Sequence, residues 1–565
     1  MAVVILPVAE WMPDMPDLAT ATSIALNVTP ITQMSYGPQP SLSEYSTNAL
    51  DGMCIGGIAA QGSDLSVNIF AGTSDKLYRM TDLAPSWSDI SGGTYTTASG
   101  ENWRFALFNS TVIATNFAQV LQAFTIGTSS TFAALFTGTA WAPSTAYSTI
   151  GELIIANGNR YELVTAGTSA SSGSGPNGTG SGITDGTAVW NYQAGPPPQA
   201  RYSCTPKGFL MVGNTYDAVG GNGPRRIWWS VNNDPTSFPA PGTDAAITGM
   251  SDYNDFQGNI GEVTGLVDSL ANADVAIFFR HSVWRGLFVG PPNVFDFFPV
   301  ENARGTYMPN AIVPVGRLVY YIGEDGFYAF DGASSTPFGV DKFNAWFFEN
   351  VNGAYPENVV GAADIPNRRI LWAFPSALST TGAADTVLIY RWDLERASYL
   401  QLGANAVEWL MRTLTFGLSP DSMAAAGFAD TDTLPASFDS PVWIGGVASL
   451  MAVDGSHKLS FFTGPNLAAS VATQTKQLTP GRRSFVQSAR PLVDLTTGVP
   501  SVSFAGRVQI YDEEVFGAAV APNSMGECPQ RSDARYHNAQ VTIPAGAVWK
   551  HIIGVETTFV PGGAR

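Results

Sequence analysis

The stretch Gly316-Arg-Leu-Val-Tyr-Tyr-Ile-Gly-Glu-Asp-Gly-Phe-Tyr-Ala-Phe-Asp-Gly332 reads as strand, tight turn, strand, turn. Leu318, Tyr320 and Ile322 share one face, because side chains alternate along a strand. Glu324-Asp325-Gly326 supplies the turn, with Gly326 free to take positive φ. Phe327 to Phe330 form the return strand, and Asp331-Gly332 closes it.

Hairpins of this kind recur on both sides. Upstream, Val67-Asn-Ile-Phe-Ala71 turns through residues 72–75 into Lys76-Leu-Tyr-Arg79, with Trp87 following. Trp103-Arg-Phe-Ala-Leu-Phe108 turns at Asn109-Ser110 into Thr111-Val-Ile-Ala-Thr115. Gly208-Phe-Leu-Met-Val-Gly213 leads to Arg226-Ile-Trp-Trp-Ser230, and Asp274-Val-Ala-Ile-Phe-Phe-Arg280 turns at His281-Ser282 into Val283-Trp-Arg-Gly-Leu-Phe-Val289. Downstream, Arg369-Ile-Leu-Trp-Ala-Phe374 pairs with Thr386-Val-Leu-Ile-Tyr-Arg-Trp392. Pro441-Val-Trp-Ile444 is a short strand ending in Gly445-Gly446, and Leu450-Met-Ala-Val453 turns at Asp454-Gly455 towards Lys458-Leu-Ser-Phe-Phe462. Helix is sparse, with Asp341 to Asn350 the best short candidate.

The units repeat at about 40 to 60 residues, near the spacing of propeller blades. The expected fold is all-β: an irregular β-propeller with a small inserted β-module and a C-terminal β-sandwich or closing sheet. A stack of β-sandwiches is the structural alternative. Residues 1–60, punctuated by proline, read as an extended N-terminal segment. Residues 61–137 are the first propeller part, 138–198 the inserted module, 199–465 the second propeller part and 466–565 the C-terminal β-region. The module has its own texture, with a Ser/Gly-rich stretch from Gly167 to Gly182 and a stiff Gly195-Pro-Pro-Pro198 exit.

Composition narrows the function classes. Only 13% of the 565 residues are charged against 12% aromatic, with 58 Gly and 37 Pro. Sparse charge suits a protein that hides much of its surface in an assembly, because interface centres are depleted in charge. The net charge is −18, and the arginine pairs Arg225-Arg226, Arg368-Arg369 and Arg482-Arg483 stand isolated. Phosphate-gripping proteins need basic patches, so tight nucleic-acid binding is not expected. An acidic surface would instead let DNA pass without sticking. Cys54, Cys204 and Cys528 are far apart, with neither metal-ligand nor redox spacing, and a reducing compartment is the simpler reading. The N-terminal run lacks the basic region of a signal peptide, and no apolar run approaches membrane-spanning length, so no membrane span is expected.

The search for chemistry returns little. His281, His457, His537 and His551 have no ligand spacing and read as turn or surface residues. There is no nucleophile elbow, Walker loop or dinucleotide fingerprint. Asp430-Thr-Asp432 and Asp252-Tyr-Asn-Asp255 lack a full oxygen-ligand loop and read as turns. Neither a cofactor, a metal nor a catalytic residue is expected, and the chain reads as a non-enzyme. Glycoside hydrolysis, which needs only two carboxylates placed by the fold, is the enzymatic alternative. One constellation has a binding character. Trp190 and Tyr192 lie two apart on one strand face, and Trp141, Tyr147 and Tyr161 could join them in stacking on sugar rings. The competing reading makes these five the core of a tiny domain with little else apolar.

Several of these stretches carry a likeness. Arg226-Ile-Trp-Trp-Ser-Val-Asn-Asn-Asp-Pro-Thr-Ser-Phe238, Val283 to Phe298 and Gly323 to Gly332 resemble the tail nozzle proteins of short-tailed bacteriophages, also known as tail hub, tail tubular or packaged-DNA stabilisation proteins. Ser532-Asp-Ala-Arg-Tyr536, Val541-Thr-Ile-Pro544, Trp549 and Gly562-Gly-Ala-Arg565 are similar to that family's ending. The likeness covers most of residues 200–565 and, less clearly, 20–137. The insertion resembles small carbohydrate-binding-like modules of phage tail proteins and departs from a minimal nozzle. The resemblance implies a structural virion protein, made in the host bacterial cytoplasm and located in the tail. It implies a homohexameric ring below portal and adaptor, with tail fibres, spikes or needle nearby. Viral DNA would pass through without sequence-specific binding, retained before infection and released on ejection. Glu324 and Asp325 then become candidates for a channel or interface loop. A receptor-binding tail fibre or lectin-like propeller that binds host polysaccharide is the competing function.

Overall fold

The computed structural model describes residues 1–62, 66–81, 84–217, 220–403, 405–414 and 448–562. Pro441–Ile444 with its two glycines, Asp430–Asp432 and the last three residues lie outside them. The chain is all-β, an irregular β-propeller with an inserted β-module and a C-terminal β-region. It divides into two compact units: Leu50–Asp82 with Ser86–Thr336, and Met1–Ala49 with Leu83–Pro85 and Pro337–Arg565.

Five four-stranded meanders follow one another in the first unit. Their opening strands are Gly57–Gln61, Arg104–Phe108, Gln199–Cys204, Val263–Asp268 and Val313–Val315. The stacking of these blades can be followed through the strand Val275–Phe279, all five of whose residues are buried. Val275, Ile277 and Phe279 pack with Met211, Ile227 and Trp229 of the third blade. Ala276 and Phe278, on the opposite face, pack with Val319, Tyr321, Tyr328 and Phe330 of the fifth. A strand alternates its side chains, so one that is apolar at every position must be covered on both faces. The same logic joins the first blade to the second through Phe70, Val112 and Phe124, and the second to the third through Ile113, Leu210 and Val212.

The expected hairpin forms over Leu318–Ile322 and Phe327–Phe330, and the structure sets its register, with Tyr321 opposite Tyr328 and Ile322 opposite Phe327. Two details differ. Val319 and Tyr321 enter the core as well as Tyr320 and Ile322, while Leu318 is exposed. Gly326 is extended at φ 159°, so the turn, closed by Gly323 N donating to Gly326 O at 2.7 Å, makes no use of left-handed freedom. Gly332 does use it, at φ 93°, and a Cβ there would lie 2.9 Å from the backbone nitrogen of Ala273.

The second unit contains two further meanders. Val360–Gln401 forms the first half of an eight-stranded sheet, continued by Ala25–Leu26, Ala469–Ala472, Tyr536–Ile543 and Ser501–Arg507. The other is formed by Val407–Leu414, Ala448–Asp454 and Leu459–Phe461 and takes its outermost strand from Ser43–Glu44, where Glu44 also pairs with Lys458 at 2.6 Å. A six-stranded sheet includes Ser484–Thr497, Cys528–Ala534 and Val548–Pro561, to which Ala2–Pro7 is paired. The N-terminal segment is therefore extended, as its prolines dictate, but its strands are paired into the six-stranded sheet, the eight-stranded sheet and the last meander, and its end opens the first blade. Arg396, 1% exposed, helps to hold it: its guanidinium donates to Thr32 O at 2.6 Å and Ala9 O at 3.0 Å and lies over the Tyr36 ring.

The expected helix forms over Asn344–Asn350, three residues later than read, and Asp14 accepts from the Ala345 and Trp346 amides at 2.8 Å each. A second short helix, Asp244–Gly249, was missed. Its signal was Thr243, whose hydroxyl accepts from Ala246 N. Asp252–Asp255 is a strand rather than a turn, and Asp255 is held by the Arg226 guanidinium through bonds of 2.7 and 2.8 Å.

Candidate functional site

The inserted module is a five-stranded sheet, including Leu153–Ala156, Asn159–Thr165 and Ala188–Ala194, beside a two-stranded ribbon. Trp190 and Tyr192 do share a face, but it points inward. Trp190 and Tyr161 are fully buried, and Tyr147 and Tyr192 are 5% exposed. Trp190 meets Tyr147 edge-on at 5.0 Å, and Tyr161 meets Tyr192 at 6.1 Å. The sugar-stacking reading is thus corrected for these four residues. A sheet this small has few other large apolar groups to fill its interior. Trp141 is partly buried, donating from Nε1 to Asp185 at 2.7 Å with Gly175 against its ring.

The module is fastened to the third blade's turn at Asp234-Pro-Thr-Ser-Phe238. Asp234 accepts from the Thr236 amide and hydroxyl at 3.0 and 2.7 Å. Arg160 of the module donates to Thr236 Oγ1 at 2.9 Å and Ser237 Oγ at 3.2 Å, and its guanidinium covers Phe136. The Tyr192 hydroxyl accepts from Ala240 N at 2.9 Å.

Glu324 and Asp325 occupy the exposed tip of the fifth blade's hairpin. Glu324 Oε1 lies 3.0 Å from His281 Nδ1, in the turn of the fourth blade, and Asp325 lies 3.7 Å from Arg304, which also contacts Glu301 at 3.4 Å. The Arg304 guanidinium covers the Tyr328 ring at 4.4 Å. Burial, with Asp325 next to it, pushes the Tyr328 hydroxyl up to about 12. The tip is an acidic edge braced by the His281 ring and the Arg304 guanidinium, its side chains still about half exposed.

A feature that sequence reading missed lies among the opening strands of the five blades. They line a cavity of about 440 Å³, each blade contributing: Ile58, Arg104, Ser203, Leu266 and Asp268, and Ile312 where the fifth begins. Gly265 keeps one wall close, since a Cβ there would come within 2.3 Å of Ile312 Cδ1. Arg104 donates to Asn310 Oδ1 and lies 5.3 Å over the Tyr202 ring. Burial lowers the Arg104 pKa and raises that of Tyr202. Asp268 accepts from the Thr205 amide at 2.7 Å and its hydroxyl at 3.3 Å. The Cys204 thiol beside it is pushed well up by burial, reinforced by the Asp268 charge, and stays protonated. No local motif announces this site, because its members come from five separate strands.

The histidines divide. His281 and His457 sit at turns facing Glu324 and Glu408, the latter at 2.7 Å. His537 is fully buried, contrary to the surface reading, with Nε2 3.1 Å from both Ser484 O and Ala534 O. All three cysteines are buried, and the Cys54 thiol donates to Gly56 O at 3.3 Å. Among the described residues no group of three or more His, Cys, Asp or Glu is placed to hold a metal, and no helix is long and apolar enough to cross a membrane.

Fold and cavity together define a β-propeller bearing an inserted module. No protein-family model matches the chain, and no curated protein matches its sequence. Among solved structures it is similar to apo AztD from Citrobacter koseri, at 9% identity over 64% of this chain and 94% of that one, with a TM-score of 0.30. It is also similar to YCF48 from Cyanidioschyzon merolae (10% identity, 52% and 87% covered, TM-score 0.24) and to Hsv2p from Kluyveromyces lactis (8%, 62% and 97%, 0.23). Similarities with TM-scores this low carry no argument about function.

Proposed function

We propose that this chain is a structural virion protein forming the nozzle of a short phage tail. In this reading six copies form a ring below the portal and its adaptor, extend the DNA channel and gate it. The observation that carries the reading is where the nozzle-like stretches fall. Arg226–Phe238, Val283–Phe298 and Gly323–Gly332 lie on the third, fourth and fifth blades in succession. The likeness thus follows one stacked structural series rather than scattered loops. Two physical features support it. A net charge of −18 disfavours adhesion of DNA to the protein. A surface with so few charges also suits the two different, complementary faces that a closed ring needs.

Electron microscopy of the purified protein and of the virion tests the proposal. Six-fold rings with a central channel, seated at the tail, are expected; trimeric rods, or absence from the tail, would overturn it.

A further inference from the structure

We propose that the Asn177-Gly178 step, in the Ser/Gly-rich loop of the inserted module, is a self-modification site at which the chain deamidates to aspartate and isoaspartate. The inference does not depend on the nozzle reading.

The Gly178 backbone nitrogen attacks the side-chain carbonyl carbon of Asn177, forming a C–N bond as its own proton leaves to water. The side-chain nitrogen departs as ammonia and leaves a cyclic succinimide. Water then opens that ring at either carbonyl, giving aspartate or an isoaspartate whose backbone runs through the former side chain. Water is consumed, ammonia is released, and nothing is oxidised or reduced. Glycine favours the attack because it has no Cβ to obstruct it.

The sequence contains four such steps, at Asn157, Asn177, Asn222 and Asn352. The structure separates them. Asn157 sits in a hairpin turn at φ 52°, and its side-chain amide donates to Pro176 O at 2.9 Å and Ser174 O at 3.2 Å. Asn222 lies in the strand Gly221–Trp229, opposite Tyr216, with Gly223 opposite Thr215. Asn352 is held at both ends of its side chain: Nδ2 donates to Ser379 O at 2.8 Å, and Oδ1 accepts from Ala354 N at 3.0 Å. Groups fixed in these ways reach the ring-closing geometry only after those contacts open.

Asn177 and Gly178 are both exposed, and a Cβ on Gly178 would meet nothing within 4 Å. Among the described residues the Asn177 side chain makes one hydrogen bond, accepted by Oδ1 from Gly178 N at 2.9 Å. The attacking nitrogen is thus already held against the carboxamide, and no other bond restrains that group. The reaction also has a structural consequence. Gly178 O accepts from the Tyr161 hydroxyl at 2.9 Å, which ties the loop to the module's buried aromatics. Isoaspartate lengthens the backbone by a methylene and adds a negative charge immediately before this anchor, so the loop is loosened there.

Incubation of the full chain at mildly alkaline pH, followed by peptide mapping with mass spectrometry, provides the test. The Asn177 peptide should convert several times faster than the other three, with isoaspartate detected by isoaspartyl methyltransferase labelling. In urea-unfolded chain the four steps should convert at similar rates. Asn177→Gln, whose longer side chain closes its ring far more slowly, should abolish the fast conversion without changing the thermal midpoint, because the side chain is exposed. After equal incubation, limited proteolysis should cut the loop between residues 173 and 182 sooner in the unaltered chain than in this variant. The proposal is overturned if another of the four steps converts as fast in the folded chain, if Asn177 does not convert, or if the unfolded chain shows the same spread of rates.

Discussion

His537 shows how a residue's burial reverses its expected behaviour. A turn histidine titrates near its usual value, whereas burial lowers the pKa of this one below 6.5. Above that value it is neutral in both folded and unfolded chains. As pH falls below it, the unfolded chain takes up a proton that the folded one resists, so stability is lost towards acid. The thermal midpoint should therefore drop between pH 7 and 5, and His537→Gln should show a shallower drop. Equal slopes would mean that His537 does not contribute. Glu324 and Asp325 make the opposite case, as exposed groups whose contacts with His281 and Arg304 add little stability, about 0–1 kcal/mol each. If the proposed channel runs past them, Glu324→Lys with Asp325→Lys will leave the melting temperature nearly unchanged yet slow DNA release from virions carrying the change. Release at the normal rate would place this tip away from the DNA path.

At the scale of elements, the blades depend on strands covered on both faces. Phe278 joins the fourth blade to the fifth with no exposed surface. Phe278→Ala should cost roughly 3–5 kcal/mol by denaturant unfolding, the range for emptying an aromatic core position. A loss below about 1 kcal/mol would contradict the packing described. The inserted module is held differently, through polar contacts at its base. Arg160→Ala removes the bonds to Thr236 and Ser237. Limited proteolysis should then cut the connectors around residues 137 and 195 faster while the module's own core stays intact. Unchanged cleavage would show that Tyr192 and the backbone contacts suffice.

At the scale of the whole molecule, the acidic balance leads to a direct expectation for nucleic acid. Duplex DNA should show no retention by the purified chain at physiological salt, because phosphate binding draws on clustered lysine and arginine. Of the arginine pairs, Arg226 is committed to Asp217 and Asp255, and Arg369 to Asp364. Submicromolar, salt-sensitive binding would replace the idea of passage with one of grip.

The hairpins were legible from the sequence because strand alternation and turn chemistry are local. The turns at Glu324-Asp325-Gly326 and at Asn109-Ser110 need only their neighbours in the chain. The helix near Asn344 was legible for the same reason, although its start depends on Asp14, more than three hundred residues away. The module's aromatics could be placed on one face but not assigned to inside or outside, since alternation gives the face and packing decides which side is covered. The N-terminal strands give no hint of their partners, because pairing such as Ser43–Glu44 with Leu459–Phe461 is a long-range choice. The cavity was beyond reach altogether. Sequence alone determined that this chain is built from repeated, apolar β-hairpins with an acidic, sparsely charged surface. Only tertiary structure decided that Arg104, Leu266 and Asp268 line one cavity, since stacking the blades brings residues from separate strands around one shared space.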